Sequence, residues 1–572
     1  MPARFRLLLD PANTQGQKLS TSLICGLGRK ATMQRWNGWG DETITMDLTP
    51  QGLQILRDVV GRGRTHPDYP LQGFVERLPK SRLSRHPLVS FDPKLRLDHA
   101  HGQSLPDWIG LRTGILKRFP DGVALPNTIE EVQELMKYAG EQDLVVIPYG
   151  GGTSVVGQLA VPETERPVLS VSMERLNRLI GIESDNRLAT FEAGIRGPQL
   201  EQQLNSRGFT LGHYPQSFEY SSLGGWVATR SSGHQSRHYG RIEDLLAGGI
   251  VFTPRGKLKL PPFPASAAGP DLRQILLGSE GRMGMLANVI VRISKMPAID
   301  SVYGIFFPSW DNGLKAVQTI AGTDIGFSML RLSNPSETMT NLALAGHERQ
   351  IAWVVRYIRL RGIPNKDFCM CLLGFTGSRR MTTVARREAL SVVRGQKGIC
   401  IGRPLGSAWK KNRFRSAYLR NTLWNLGYAV DTLETAITWD KVTSTMNAIE
   451  KSIRGALSPG NSGVHVFSHL SHVYPTGSSI YTTFVFRLSS RPHDTLETWQ
   501  HLKHAASRAI VSAGGTISHQ HGVGSDHIKY LVHEKGEIGV EMLHKLFSHL
   551  DSYRRMNPDK LIPQDKGQKT DF

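Results

Sequence analysis

The sequence predicts an α+β protein built from several domains. Its 572 residues are too many for one hydrophobic core, and 39% hydrophobic with 21% charged residues is ordinary for a soluble globular chain. From about residue 110 onward, short apolar runs alternate with segments of helical spacing, and three glycine-bearing turns lie between them. We predict four regions, an N-terminal segment and three further units, with the bounds 1–110, 111–298, 299–510 and 511–572.

The most regular part of the chain is a strand–helix–strand unit that leads into consecutive glycines. Val123–Pro126 predicts the end of a strand, and Thr128 with Glu131 predicts a capping box. Leu144–Ile147 is an apolar run typical of a short buried strand. Glycines after it can adopt positive φ angles, and their N–H groups can converge on an anion such as a pyrophosphate; a flexible surface turn is the alternative. This loop contains Pro148, Tyr149, Gly150, Gly151, Gly152, Thr153 and Ser154.

Two more glycine-bearing turns follow within residues 111–298. One is Ser221–Trp226, and the other is Gly278–Gly281, which precedes a β-rich run over 286–293. Further along, the pattern predicts a strand at Phe484–Leu488 and helices at 494–512 and about 535–550. Residues 1–105 show no regular periodicity, so we expect an irregular segment there.

The net charge of +20 favours an anionic partner. No zinc-finger spacing or RNA-binding aromatic motif accompanies the charge, so we expect no nucleic-acid partner. The functional interpretation of the excess charge is a peripheral contact with an anionic membrane. The alternative is that the basic residues lie on solvated helix faces.

Cysteine usage and the chain termini bear on the compartment. The four cysteines Cys25, Cys369, Cys371 and Cys400 form no disulfide framework, which fits a reducing compartment. Cys369-Met370-Cys371 is typical of an alternating strand, and we predict no metal site. We find no secretory signal, no membrane span of ~18 apolar residues and no C-terminal peroxisomal address. We therefore expect a cytoplasmic protein with peripheral membrane contact.

The loop at 148–154 contains neither a Walker ending nor the Gly-x-Gly-x-x-Gly pattern, which argues against nicotinamide bound in the ordinary Rossmann way. It resembles the pyrophosphate loop of the vanillyl-alcohol-oxidase-like FAD-binding domain, and the resemblance continues at Ser222–Trp226, Tyr239–Leu245 and Gly278–Gly281. It implies a two-subdomain FAD-binding (PCMH/VAO-type) domain with an α+β cap domain and a C-terminal helical segment, and FAD bound non-covalently. The resemblance assigns FAD binding to Pro148, Gly150, Gly151, Gly152, Thr153, Ser154, Ser222, Gly224, Gly225, Thr229, Glu280 and Gly281.

Within that superfamily, the chain resembles the alkyldihydroxyacetonephosphate synthase family over most of its length. Trp36–Gly40, Ala100–Gly102 and Gly212–Glu219 resemble blocks of that family, and Gly224–Arg230 and Ser518–Gly524 follow in its order. The resemblance implies a redox-neutral exchange on flavin, in which a fatty alcohol replaces the acyl group of acyl-dihydroxyacetone phosphate and forms an ether. Its partners would be that lipidic phosphorylated substrate and the fatty alcohol. The sequence leaves a homodimer open.

The acid/base tyrosine of that family is matched by Tyr481; from the residues alone, the alternative is an ordinary strand tyrosine. A free phenol has a pKa of about 10, so proton transfer at pH 7 asks for a lowering of about 3 units, roughly 4 kcal/mol. Arg420 and Arg331 match family arginines placed to supply it, since a hydrogen bond from an arginine contributes about 1.5–3 kcal/mol. We therefore expect a lowered pKa at Tyr481.

Histidines complete the set of predicted catalytic residues. His519 and His521 alternate in Ser518–Gly522, so an extended segment would point both to one face, where they could bind an anion or shuttle a proton. His213 matches a family histidine near the flavin. The alternative for each is a structural or surface histidine.

Two departures from the family leave other functions open. Gln520 stands where the family has the middle of three histidines, and Arg282 is a bulky cation that could pair with the pyrophosphate or clash with FAD. One alternative function is an FAD-linked oxidoreductase of a 2-hydroxy acid. A second is a flavin-binding or lipid-surface protein without turnover.

Overall fold

The computed structural model describes residues 34–346, 348–363, 367–457 and 463–563. Cys25 lies outside them. The described part of the N-terminal segment contains four short helices joined by longer irregular stretches, and the sequence pattern predicted only the irregular stretches. Short helices leave little periodicity, but each of three begins at a capping residue followed closely by proline, as at Thr49 and Ser104. The elements are α1 (Pro50–Val59), α2 (Leu71–Arg77), β1 (Val89–Ser90), α3 (Pro93–Asp98) and α4 (Leu105–Thr113).

The next region, residues 111–298, contains two packed subdomains. The elements of this region are β2 (Gly122–Ala124), α5 (Ile129–Glu141), β3 (Val145–Tyr149), β4 (Val168–Ser172), β5 (Leu179–Glu183), β6 (Leu188–Glu192), α6 (Gly197–Asn205), β7 (Phe209–Thr210), α7 (Leu223–Thr229), α8 (Ser236–Tyr239), α9 (Ile242–Leu245), β8 (Leu246–Thr253), β9 (Gly256–Leu260), α10 (Leu272–Leu276), β10 (Met285–Arg292) and β11 (Ser294–Lys295). In the first subdomain, the sheet has the order β1-β2-β4-β3, and β4 pairs in parallel with β2 and β3. In the second, the sheet has the order β5-β6-β10-β8-β9 and is antiparallel.

The start of α5 shows how local sequence sets an element. Thr128 Oγ1 accepts the Glu131 N–H, as the capping prediction requires. In a full capping box, the Glu131 carboxylate would accept the N–H of Thr128. Here it accepts the N–H of Asn127 instead, at 2.6 Å. The apolar face of α5, with Val132 and Leu135, then packs into a core shared by both sheets.

The third region is organised around a seven-stranded antiparallel sheet with the order β15-β12-β14-β13-β17-β18-β16. We call it the cap sheet. The predicted strand at 484–488 is the end of β18, and Cys369 and Cys371 lie in β14. The elements from residue 299 onward, of which α19 belongs to the C-terminal segment, are β12 (Ile299–Phe307), α11 (Trp310–Ala321), β13 (Met329–Ser333), α12 (Pro335–Leu344), α13 (Glu348–Leu360), β14 (Cys369–Gly377), α14 (Arg379–Gly395), β15 (Ile399–Gly402), α15 (Pro404–Asn412), α16 (Leu419–Asn425), β16 (Tyr428–Thr438), α17 (Val442–Gly455), β17 (His465–Tyr474), β18 (Gly477–Arg487), α18 (Pro492–Ala513) and α19 (Leu531–Leu550).

After α19 the chain returns to the glycine-loop region. Val146 of β3 and Met556 form a parallel bridge, and Leu531 and Phe547 of α19 join the core of the second subdomain. The C-terminal segment therefore packs over the region that carries the glycine turns. None of the helices in the described ranges has the length and apolar character to cross a membrane.

Candidate active site

A cavity of about 520 Å³ lies between the glycine turns and the cap sheet. One wall is formed by the three glycine turns, and the opposite wall by residues of β13, β16, β17 and β18. An apolar arm extends between α1, α12 and α16. All the residues predicted to bind FAD line this cavity.

The first glycine loop leaves no room for side chains on its outer side. A Cβ on Gly151 would lie 2.0 Å from the Tyr220 carbonyl oxygen. Gly152 has a φ of +68°, and a Cβ there would meet the Tyr149 hydroxyl at 2.2 Å. The loop therefore needs glycine to lie flat against the following turn, with its main chain facing the cavity. A backbone cradle of this kind fits the pyrophosphate of a dinucleotide.

The other two turns support the first. Ser222 caps α7 by accepting the Gly225 N–H at 3.2 Å, and Thr229 Oγ1 donates to the Gly225 carbonyl. In the third turn, the Glu280 carboxylate bonds to the C-terminal segment: it accepts the N–H groups of Val523 and Gly524, at 2.6 and 2.9 Å. Glu280 thus ties the third turn to the C-terminal segment.

On the opposite wall, Tyr481 stands at the centre of a row of polar side chains on the cap sheet. Strand pairing places it opposite Glu434 of β16 and His469 of β17. Its ring stacks on His469, with centroids 5.0 Å apart, and its hydroxyl donates to Thr432 Oγ1 at 3.1 Å. The ring of His521 lies edge-on at 5.7 Å.

The pKa prediction for Tyr481 is wrong in direction. Burial raises the pKa of the phenol, and the charge of Arg331 offsets only part of that effect. Arg331 is itself neutralised, since its Nη2 donates to Glu337 Oε1 at 2.6 Å. The charges of His469 and Arg331 lower the pKa of the buried Glu337 to about 2, despite burial, the largest influence, which acts to raise it.

Arg420 is in a different electrostatic state. One Nη donates to the Gln103 carbonyl and the guanidinium covers the Trp108 ring at 4.3 Å. Its other Nη is enclosed at the cavity with no hydrogen-bond partner among the described residues. Burial lowers the pKa of Arg420 to about 10, so it stays charged at neutral pH. An unpaired buried cation of this kind is suited to an anionic group in the cavity.

The predicted histidines separate in the structure. Residues 519–521 form bends, so the condition under which both histidines would point to one face, an extended segment, is not met. His521 lines the cavity, whereas His519 lies behind it with Nε2 at 2.5 Å from the Tyr474 hydroxyl. His213 also lies outside the cavity lining, paired with Ser231, and burial lowers its pKa to about 3.

Three polar residues of the site were not predicted as catalytic: Glu337, Glu434 and His469. Each is nearly fully buried. Their sequence signal is a charged or titratable side chain inside an apolar strand or just after one, as in Leu433-Glu434-Thr435.

Comparison with known proteins shows which family the chain belongs to. The FAD binding domain family model matches residues 120–260, and the model of the C-terminal domain of FAD linked oxidases matches 296–561. Alkyldihydroxyacetonephosphate synthase of Dictyostelium discoideum is 30% identical, over 92% of this chain and 85% of the relative. That of Caenorhabditis elegans is 31% identical, over 91% and 87%. A solved alkyldihydroxyacetonephosphate synthase superposes with a TM-score of 0.80 at 27% identity, covering 92% of this chain and 99% of the other.

This chain belongs to the alkyldihydroxyacetonephosphate synthase family. The predicted fold class, a PCMH-type FAD-binding domain with an α+β cap, is confirmed. The prediction that the protein is an FAD-dependent enzyme is confirmed as well. The glycine loop and its supporting turns are the residues that would hold FAD, and their side-chain-free surface fits it. Bound FAD would supply the redox-active ring of the family's chemistry.

The structure places both departures from the alkyldihydroxyacetonephosphate synthase pattern. Arg282 donates to the Met556 carbonyl at 2.9 Å and does not line the cavity, so it neither reaches nor blocks the FAD side. Gln520 does line the cavity, and its Oε1 is enclosed there with no partner in the described part of the chain. Within the same residues, no group of three or more His, Cys, Asp and Glu side chains is arranged to hold a metal ion.

We predict that Gly151→Ala loses FAD and stability. The added Cβ would strike the Tyr220 carbonyl, a main-chain atom that cannot move without displacing the second turn. Flavin content and the melting temperature should both fall clearly below wild type. The control is Gly140→Ala in α5, where a Cβ meets nothing within 4 Å and a gain of about 0.5–1 kcal/mol in helix propensity is expected. Full flavin content in Gly151→Ala would contradict the cradle assignment.

Proposed function

We propose that this protein exchanges the acyl group of acyl-dihydroxyacetone phosphate for a fatty alcohol, with FAD held non-covalently. The bond from C1 to the acyl oxygen breaks, the carboxylate leaves, the alcohol oxygen bonds to C1 and its proton is released. The observation that carries the proposal is that one cavity combines the glycine cradle, Tyr481, the unpaired Arg420 cation and an apolar arm.

The apolar arm suits the two hydrocarbon chains. It is lined by leucine and valine side chains from the N-terminal segment, α12, α16 and β18: Leu48, Leu56, Leu344, Leu423 and Val485. Burial of each methylene group stabilises a bound chain by about 0.8 kcal/mol, so each chain would add affinity in proportion to the length that it buries. A small 2-hydroxy acid would leave this surface unused.

The polar end supplies charge and proton transfer. Arg420 is free to bind the phosphate or the departing carboxylate, whereas Arg331 is already paired with Glu337. Because burial raises the pKa of Tyr481, the phenol starts protonated at neutral pH and first acts as a donor. His521, which lines the cavity beside it, is placed to receive the C1 proton and return it.

Non-covalent attachment of FAD follows from the family resemblance; the cavity lining contains no cysteine among the described residues, but it contains histidines such as His469 and His521. His213 is turned to Ser231 and lies outside that lining.

Flavin-loaded protein should form alkyl-dihydroxyacetone phosphate and release one fatty acid per ether, when given acyl-dihydroxyacetone phosphate and 1-hexadecanol. Acid precipitation of the same sample should leave the flavin in the supernatant. Flavin-loaded protein that forms no alkyl product, or that is bleached anaerobically by 2-hydroxy acids, would reject the exchange reaction. Flavin that stays with the pellet would reject non-covalent binding alone.

Tyr481→Phe should keep its FAD and lose at least about a hundredfold in kcat, the usual contribution of a positioned acid or base. The ring and its stacking on His469 remain, so folding should be unaffected. Tyr303→Phe is the control, because that hydroxyl contacts Arg386 and Arg403 away from the cavity. Near-wild-type turnover in Tyr481→Phe would remove Tyr481 from proton transfer.

A cytoplasmic protein in peripheral contact with an anionic membrane remains our proposal for location. On α13, Trp353 and Leu360 are 69% and 78% exposed, and exposed arginines at 356, 359 and 361 lie beside them. Apolar residues flanked by arginines favour an anionic bilayer surface. The helix before it, α12, contributes Leu344 to the apolar arm, so lipid could enter from that side.

We predict flotation with phosphatidylglycerol-containing liposomes and weaker flotation with phosphatidylcholine alone. The double variant Trp353→Ala, Leu360→Ala should lower the floated fraction several-fold. A matched control is Ile538→Ala with Met542→Ala, two similarly exposed apolar residues on α19. Equal flotation of both variants, or flotation independent of anionic lipid, would contradict the α13 contact.

A further inference from the structure

Glu434 lies on β16, the edge strand of the cap sheet next to β18, and is 2% exposed. Its Oε1 accepts two consecutive main-chain N–H groups, from Gln520 at 2.5 Å and from His521 at 2.7 Å. A buried carboxylate that accepts main-chain N–H groups holds its segment more firmly than neutral acceptors do. Glu434 thereby anchors the bend that carries His521.

The same carboxylate lies beside two imidazoles. His521 Nδ1 is 3.6 Å from Oε1, and His519 Nδ1 is 3.9 Å from Oε2. Oε2 has no hydrogen-bond partner within the described ranges, so its charge is available to the rings. His519 is held from its other side by Arg241 and the Tyr474 hydroxyl. Burial, the largest influence, acts to raise the pKa of Glu434, but His521, His519 and the N–H of Gln520 together lower it to about 2.

Strand pairing fixes the position of Glu434 relative to Tyr481. Glu434 is directly opposite Tyr481 in the β16–β18 register, so both side chains rise from the same face of one sheet. The bend at 519–521 has no sheet of its own to set its position. Its distance from Tyr481 therefore depends on side-chain anchors: Glu434 accepts the N–H groups of Gln520 and His521, and Gln158 Nε2 donates to the His521 carbonyl at 3.2 Å.

We propose that Glu434 is the positioning residue of this site: its two main-chain hydrogen bonds and its charge beside Nδ1 set the His521 imidazole against Tyr481. This rests on the proposed function for its catalytic consequence. Since the anchor uses main-chain N–H groups, it is independent of the side chain at position 520, which is free to face the cavity. A carboxylate beside Nδ1 also stabilises the positive charge that an imidazole gains on accepting a proton.

The test compares Glu434→Gln with Glu201→Gln. Glu201 is a buried glutamate that likewise accepts two main-chain N–H groups, from Leu211 and Gly212, and it does not line the cavity. Both variants keep an acceptor oxygen and lose the charge. We expect Glu434→Gln to retain FAD and a KM within about threefold of wild type, with kcat at least about tenfold lower. Glu201→Gln should match wild type in both. A kcat for Glu434→Gln within twofold of Glu201→Gln would overturn the proposal.

Hydrogen exchange provides a readout that does not need turnover. In Glu434→Ala, the peptide spanning 516–524 should exchange at least about tenfold faster than in wild type, while the peptide around 209–213 is unchanged. Unchanged exchange at 516–524 would overturn the anchor. If flavin-loaded wild type forms no alkyl product, the proposed function fails, and the exchange experiment alone decides whether Glu434 holds the segment.

Discussion

Two buried glutamates hold one short segment, residues 520–524, between the glycine-turn region and the cap sheet. Glu434 of the cap accepts the N–H groups of Gln520 and His521, and Glu280 of the third turn accepts those of Val523 and Gly524. Each buried N–H left without an acceptor would cost about 1–3 kcal/mol. The bend that closes the cavity is therefore fixed at both ends by carboxylates from different parts of the chain.

This arrangement decides where charge remains in the cavity. Glu434 is compensated by the segment and its histidines, Glu337 by Arg331 and His469, and Asp431 by Lys503 at 3.1 Å. Arg420 bonds to a main-chain carbonyl and keeps an unpaired Nη. In the proposed reaction, we expect this group to meet the anionic end of the substrate.

The parts of the site that sequence predicts are those with a local cause. Local backbone geometry requires glycine in the tight turns and serine at the start of a helix, so these features can be recognised from a few neighbouring residues. Glu434, Tyr481 and His469 come together through strand pairing, and register between distant strands leaves no local trace. The direction of the Tyr481 pKa was missed for the same reason: the arginines were visible in the sequence, but the extent of burial was not.

The presence of Gln520 where the family has a histidine therefore disturbs the site less than the loss of an imidazole suggests. A side chain at this position does not hold the segment, because the main chain does, and Glu434 is the acceptor. The Gln520 side chain instead lines the cavity, and its Oε1 is buried without a partner among the described residues. A neutral acceptor there leaves the charge balance of Glu434, His519 and His521 intact, whereas a carboxylate would add a second negative charge beside Glu434. Replacement of a histidine by glutamine is therefore compatible with the same acid/base site.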